Sequence, residues 1–276
     1  MRYNHSLLAA GLLLSFNTVN AEAALQSRAG GTMLYDTALD ITWVADASLF
    51  RTLANASGDP ASYIQNIISS NGGVINNTPN QYDGNDGVYN LNASDFNTTL
   101  GRLNWFGAKA WVNTLSYGGF DDWRLPTITD TGTPGCNFSY NGTDCGYNPD
   151  IGAGELIHMH YIDLGLKSWA NPDQSVRSDY GIFGNGVTSG ENDIGLVQNI
   201  QSAAWWLDAE DPNPKSAWYF NPKWGSQGSY NKNYMDYVAW AVRDGDVAAV
   251  PLPGAAVLFG SALLGLIGIK RRVKLG

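Results

Sequence analysis

Charge is what this 276-residue chain has least of. Asp, Glu, Lys and Arg together make up 15% of it, against about 25% in typical soluble domains. Helical bundles and coiled coils need many such residues on their outer faces, so that class is excluded. Basic residues are the scarcer sign, 16 against 25 acidic ones, for a formal net charge of −9. A nucleic-acid surface needs a basic patch to displace counterions, and nucleic acid is excluded as a partner. Four of the basic residues follow Gly254 with no acid among them, so the body of the chain is more acidic than the total.

Histidine and cysteine are also rare, three and two residues. There is no Cys-x-x-Cys pair and no HExxH zinc motif. There is no Gly-x-Ser-x-Gly elbow and no Gly-x-x-x-x-Gly-Lys phosphate loop. The common nucleophile, metal and nucleotide signatures are therefore missing. Carboxylates are plentiful, so a glycosidase pair stays open on sequence grounds.

What is abundant is aromatic and small-polar. Ten tryptophans and 44% hydrophobic residues build a core, which a disordered chain lacks. Thirty-two glycines and 26 asparagines suit loops and exposed β-structure.

The two ends read as targeting segments. Residues 1–23 have a short polar start with Arg2 and His5, an apolar run from Leu7 to Phe16, and small residues at Ala21 and Ala23. That order is a secretory signal peptide and implies export. At the other end Val250-Pro251-Leu252-Pro253 precedes an uncharged stretch, 254–269, and then Lys270-Arg271-Arg272. As a helix, residues 251–269 would extend about 28 Å at ~1.5 Å per residue, close to the ~30 Å bilayer core. The basic cluster would stay cytoplasmic and the acidic body outside.

This tail resembles the bacterial PEP-CTERM sorting signals of the VPLPA variant, with Gly254 at the fifth motif position. The resemblance implies an exosortase-type membrane protease as partner, cleavage near the motif, and a final place at the cell surface or outside the cell. A plain single-pass anchor is the other reading of the same residues.

Between the ends, residues 25–248 read as one α+β domain: an antiparallel sheet with two helices and a polar insertion at 51–100. Residues 32–36 and 41–44 look like strands joined by a turn. Inside the insertion, 61–69 suits a short helix, and the turn signals of 71–92 suggest a long surface loop. Trp105, Ala108, Trp111, Val112 and Leu115 share one helical face, which predicts a helix over 104–115. A second helix is predicted over 154–164, and strands over 203–207, 217–220 and 237–243. The hydrophobic tryptophans predict a core that holds Trp123 and Trp240 with Trp111 or Trp43.

Several blocks in order carry a second resemblance: Asp122-Trp123-Arg124-Leu125-Pro126-Thr127, Gly154-Glu155-Leu156-Ile157-His158, Ala204-Trp205-Trp206, Ala217-Trp218-Tyr219-Phe220, and Trp240-Ala241-Val242-Arg243-Asp244. The order resembles the family of C-terminal domains of the bacterial Lcl collagen-like adhesin, over roughly residues 31–246. The insertion fits least well. The resemblance implies a C-type-lectin-like fold and a role in adhesion, with ligand identity not carried over.

The candidate sites are few. Arg124 can fork onto a carboxylate, tying loops together. Cys136 and Cys145 flank a polar loop, and in an exported protein they are expected to form a disulfide. Glu155 and His158 are three apart and could face one ion on a helix. His160 points about 200° away from His158, so no metal ligands are assigned. Asp83-Gly84-Asn85-Asp86-Gly87 resembles part of a calcium loop, but Gly87 and Ser94 stand where an EF-hand needs an oxygen ligand and Glu. No cofactor is assigned; calcium is the one candidate cation. Trp224, Tyr230 and Tyr234, with Tyr237, sit among polar loop residues. Aromatic faces beside Asn and Asp suit sugar rings, and equally suit a protein core.

These readings give a non-enzymatic exported surface or matrix protein that binds polysaccharide or another surface component. The alternatives are a secreted polysaccharide hydrolase and a purely structural envelope protein.

Overall fold

A computed structural model describes residues 25–78, 82 and 87–247. The segments read from sequence as targeting signals, 1–23 and 250–272 with Lys270, Arg271 and Arg272, lie outside the described residues, as does most of the candidate calcium loop. Among the described residues no helix is long and apolar enough to cross a membrane.

The chain opens with strands β1 (Leu25–Arg28), β2 (Met33–Asp36) and β3 (Ile41–Val44). Helices α1 (Leu49–Ala56) and α2 (Pro60–Ser70) follow, then strands β4 (Val74–Thr78) and β5 (Gly87–Asn90). A two-residue ladder, β6 (Phe96–Asn97) and β7 (Arg102–Leu103), leads into α3 (Trp105–Thr114). Next come β8 (Phe138–Ser139), β9 (Cys145–Tyr147) and the single turn α4 (Glu155–His158), which widens into a π turn at Met159–Asp163. The last part is β10 (Glu191–Ile194), β11 (Val197–Gln201), β12 (Trp205–Glu210), β13 (Ser216–Asn221), β14 (Ser226–Asn231) and β15 (Val242–Asp244).

The architecture is mixed α+β with antiparallel sheets and few helices. One sheet has the order β1-β2-β3-β15, so the start and end of the described chain share one sheet, with β15 pairing to β3. The other has the order β12-β13-β14-β9-β8, antiparallel except for the parallel β8–β9 edge. Three two-stranded ladders, β4–β5, β6–β7 and β10–β11, stand beside them, so the single sheet expected from sequence is two larger sheets and three small ones among the described residues.

Local chemistry explains the helices. Asp59 caps α2 by accepting the Ala61 and Ser62 amides, with Pro60 at the first helical position. Asn104 caps α3 through the Gly107 amide. Gly107 is needed there, because a Cβ would lie 2.5 Å from the Asp95 carbonyl. Trp105, Ala108, Trp111 and Val112 of α3 are buried as the spacing predicts, but so are Phe106, Gly107 and Ala110, so the helix is covered on more than one face.

Other expectations need correction. The 71–92 surface loop holds the hairpin β4–β5, which buries Ile75 and Tyr89. Helix α1 forms where no element was expected and buries Leu49, Phe50 and Ala54. The helix predicted over 154–164 is one α turn and a π turn. Of the strand predicted over 237–243 only the end pairs as β15; Tyr237 and Val238 make isolated bridges to Leu103 and Trp205.

One core joins both sheets and the helices, and it contains Trp43, Trp111, Trp123 and Trp240 together. The Trp43 and Trp240 rings lie 4.8 Å apart, and Trp205 is 5.3 Å from Trp240.

Candidate functional site

The five-stranded sheet has one face in the core and one face carrying tyrosines. Tyr219 on β13 stands opposite Gly228 on β14, and Ser226 on β14 opposite Tyr147 on β9. Alternate residues share a face, so these four lie on one side. Trp218 and Phe220, fully buried, lie on the other. Gly228 matters: a Cβ there would meet the Tyr219 hydroxyl at 3.0 Å, so the phenol leans across β14.

Two aromatic groups meet on this face. In the first, Tyr237 lies 4.9 Å from Tyr219 and 5.0 Å from Tyr234, and Tyr230 meets Tyr234 edge-on at 4.9 Å. In the second, Tyr147 stacks on Tyr140 at 5.4 Å and lies 5.5 Å from Trp169. Phe138 is 5.6 Å from Tyr140; Trp169 leads on to Trp224, which stacks on Tyr180 at 5.8 Å. Lys223 places its ammonium 4.9 Å over the Trp224 ring. Along β14 the small residues Ser226 and Gly228 lie on this face between Tyr147 and Tyr230, which ends the same row.

Large aromatic side chains are normally covered. Here Phe138 is 60% exposed, Tyr230 46% and Tyr234 38%. Burial, with neighbouring phenols adding to it, pushes the Tyr237 hydroxyl well above the ordinary tyrosine range, and burial does the same for Tyr219. Both remain neutral hydroxyls at physiological pH.

The disulfide Cys136–Cys145 closes the loop that carries Phe138 and Tyr140, with Cα atoms 5.2 Å apart. Gly146, at φ 96°, lets β8 approach; a Cβ there would collide with the Ser139 carbonyl. Asp144 is buried and accepts the Thr131 amide at 2.8 Å and the Asn137 amide at 3.3 Å, which fixes the loop from inside.

The sequence-predicted residues divide between the groups. Tyr230 and Tyr234 are neighbours, whereas Trp224 belongs with Trp169 and Tyr180. Phe138, Tyr140, Tyr147, Trp169 and Tyr180 were not anticipated. Their one signal was alternation of Phe138 and Tyr140 within a polar loop.

Arg124 and Glu155 are structural partners. The guanidinium donates two bonds of 2.8 Å to the carboxylate and two to Asp244, at 2.5 Å from Nη2 and 3.2 Å from Nε. Glu155 also accepts the Thr127 amide at 2.7 Å. Burial opposes the arginine's charge, but its carboxylate partners outweigh this and raise its pKa. Glu155 is therefore committed to Arg124 and is not paired with His158 at an ion. His158 instead lies between Asp163 and Asp36, which push its pKa up to about 9. His160 is buried against Tyr161 and Phe220, and burial pushes it down to about 3.

No protein-family model, curated protein or solved structure matches the chain.

Proposed function

We propose that this is an exported, non-enzymatic surface or matrix protein that binds polysaccharide on the aromatic face of its five-stranded sheet. The observation that carries the reading is the run of partly exposed rings, from Phe138 through Tyr147 and across β14 to Tyr230 and Tyr234. Sugar rings have apolar faces and hydroxyl rims. Flat aromatic surfaces cover the first, and neutral phenols and serines hydrogen-bond the second. The rings are held by their neighbours and by a disulfide, which lowers the ordering cost of binding.

The resemblance to Lcl C-terminal domains supports the same reading, with a C-type-lectin-like fold and an adhesive role. The tail supports export, membrane insertion of the precursor and processing by an exosortase. The acidic body favours a neutral or basic polymer over a strongly anionic one.

The test is retardation of the protein in gels containing purified exopolysaccharide from its host, with and without calcium. Retardation without release of new reducing ends is expected. Release of reducing ends establishes the hydrolase alternative. Free migration through every polymer leaves the structural envelope alternative and ends the glycan-binding one.

A further inference from the structure

A second constellation lies away from the aromatic face. Asp36 ends β2, His158 ends α4 and Asp163 ends the π turn. His158 Nδ1 is 3.2 Å from Asp163 Oδ2 and 3.3 Å from Asp36 Oδ2. All three ligand atoms lie within 4.8 Å of one another.

The π turn creates this arrangement. In an α-helix, a residue five positions on lies about 140° round from its start. Here the Leu164 amide bonds the Met159 carbonyl at 2.9 Å, an i→i+5 bond. The wider turn brings Asp163 back over His158.

The polar groups are not satisfied by one another. Asp36 is fully buried; its Oδ1 accepts the Ala38 and Leu39 amides at 2.8 and 3.1 Å. Its Oδ2 points at His158 with no hydrogen-bond partner among the described residues, and Asp163 Oδ1 is likewise buried without one. One Nδ1–H can serve one carboxylate, and Asp163 takes it. Among the described residues no lysine or arginine pairs with either carboxylate. Even with His158 protonated, two buried carboxylates share a single positive charge, which is costly in a low dielectric.

We infer that Asp36, His158 and Asp163 form a binding site for one divalent cation of the zinc class. A dication that displaces the Nδ1 proton of His158 and sits on two carboxylates and the imidazole so freed makes a neutral cluster. Bonds of ~2.0–2.1 Å in tetrahedral geometry place ligand atoms about 3.3 Å apart, which matches both histidine–carboxylate distances. A nitrogen ligand favours zinc over calcium or magnesium, which take oxygen. The Ala38 and Leu39 amides orient the Asp36 carboxylate from outside the cluster, as metal ligands require. Of the three side chains only His158 reaches the surface, 10% exposed, while both carboxylates are fully covered. The bound ion would pin β2 to α4.

The test uses the full chain, stripped with a chelator and dialysed against Zn²⁺ alone. One retained Zn²⁺ per chain is expected. Asp36→Asn and Asp163→Asn should each weaken binding by roughly tenfold or more. At position 36 the amide oxygen still accepts the two backbone N–H groups, so the turn survives. Imidazole nitrogen NMR of the unaltered protein needs no variant: the His158 Nδ1 signal should move with Zn²⁺ and the His160 signals should not. Sub-stoichiometric uptake, uptake indifferent to both variants, or a shift at His160 alone overturns the site. Equal competition by Ca²⁺ overturns the assigned class of ion.

Discussion

Arg124 and Glu155 face each other in a parallel two-bond fork, each bond 2.8 Å, with Asp244 closing the guanidinium's other edge. This joins three distant parts of the chain: the loop before Pro126, helix α4 and strand β15. Arg124 also bridges Val242 through its backbone, at 2.8 and 2.9 Å.

The fork should not tolerate a lysine. A single ammonium cannot reproduce two parallel bonds to one carboxylate together with the two to Asp244. The pair is partly solvated, with side-chain exposures of 24% and 14%. Its loss should therefore cost about 1–3 kcal/mol, below the ~3–5 kcal/mol for breaking a fully buried pair. Urea unfolding of Arg124→Lys should show a lower midpoint with an unchanged slope. An unchanged midpoint would show that the fork contributes nothing to stability.

Trp240 packs on Trp43 and Trp205 and donates its indole N–H to the Val44 carbonyl at 2.8 Å. Trp240→Ala should cost ~3–5 kcal/mol from the cavity it leaves, and Trp123→Ala a similar amount. Either loss is a large fraction of a typical domain's stability. Thermal unfolding is the measurement; a shift of only a degree or two would contradict the core assignment.

The disulfide is expected to matter locally. Peptide mass mapping without reduction should find Cys136 joined to Cys145. Cys136→Ser should cost less than the roughly 2.7 kcal/mol of the chain-entropy account, because measured gains often fall short of it. Its larger effect should be on the loop bearing Phe138 and Tyr140, seen as faster amide exchange over 136–147. Unchanged exchange there would mean that Asp144 and its bonds hold the loop unaided.

The sorting tail is expected to be processed. On the proposed sorting reading, neutral replacements of Lys270, Arg271 and Arg272 should impair membrane retention or cleavage, since a basic cluster would hold the cytoplasmic end. Fractionation and C-terminal peptide mapping, in hosts with and without the exosortase, measure this. A tail that persists equally in both hosts would identify a plain anchor.

What the sequence disclosed was local. Helix α3 was legible because Trp105, Ala108 and Trp111 repeat at the helical period. Strands β2 and β3 were legible from their apolar runs. The insertion was misread because its many Asn, Gly and Ser residues hid the apolar face of α1 and the pairing of Ile75 with Tyr89. The aromatic face was half legible. Tyr230 and Tyr234 are neighbours in sequence, but Tyr147 reaches their sheet only through pairing with Ser226, some 80 residues away. Asp36 and His158 were illegible as a pair for the same reason, and the π turn that recruits Asp163 has no simple spacing signature.

The most direct test of the aromatic face is calorimetric titration of host exopolysaccharide into Tyr230→Ala, Tyr234→Ala and Phe138→Ala variants. These rings are exposed, so each variant should unfold at nearly the same temperature as the unaltered protein. A ring contact is worth ~0.5–1.5 kcal/mol beyond its buried area, so each loss should weaken binding by roughly 3- to 10-fold, and the triple variant by more. Full affinity in the triple variant, with its fold intact, would contradict the account.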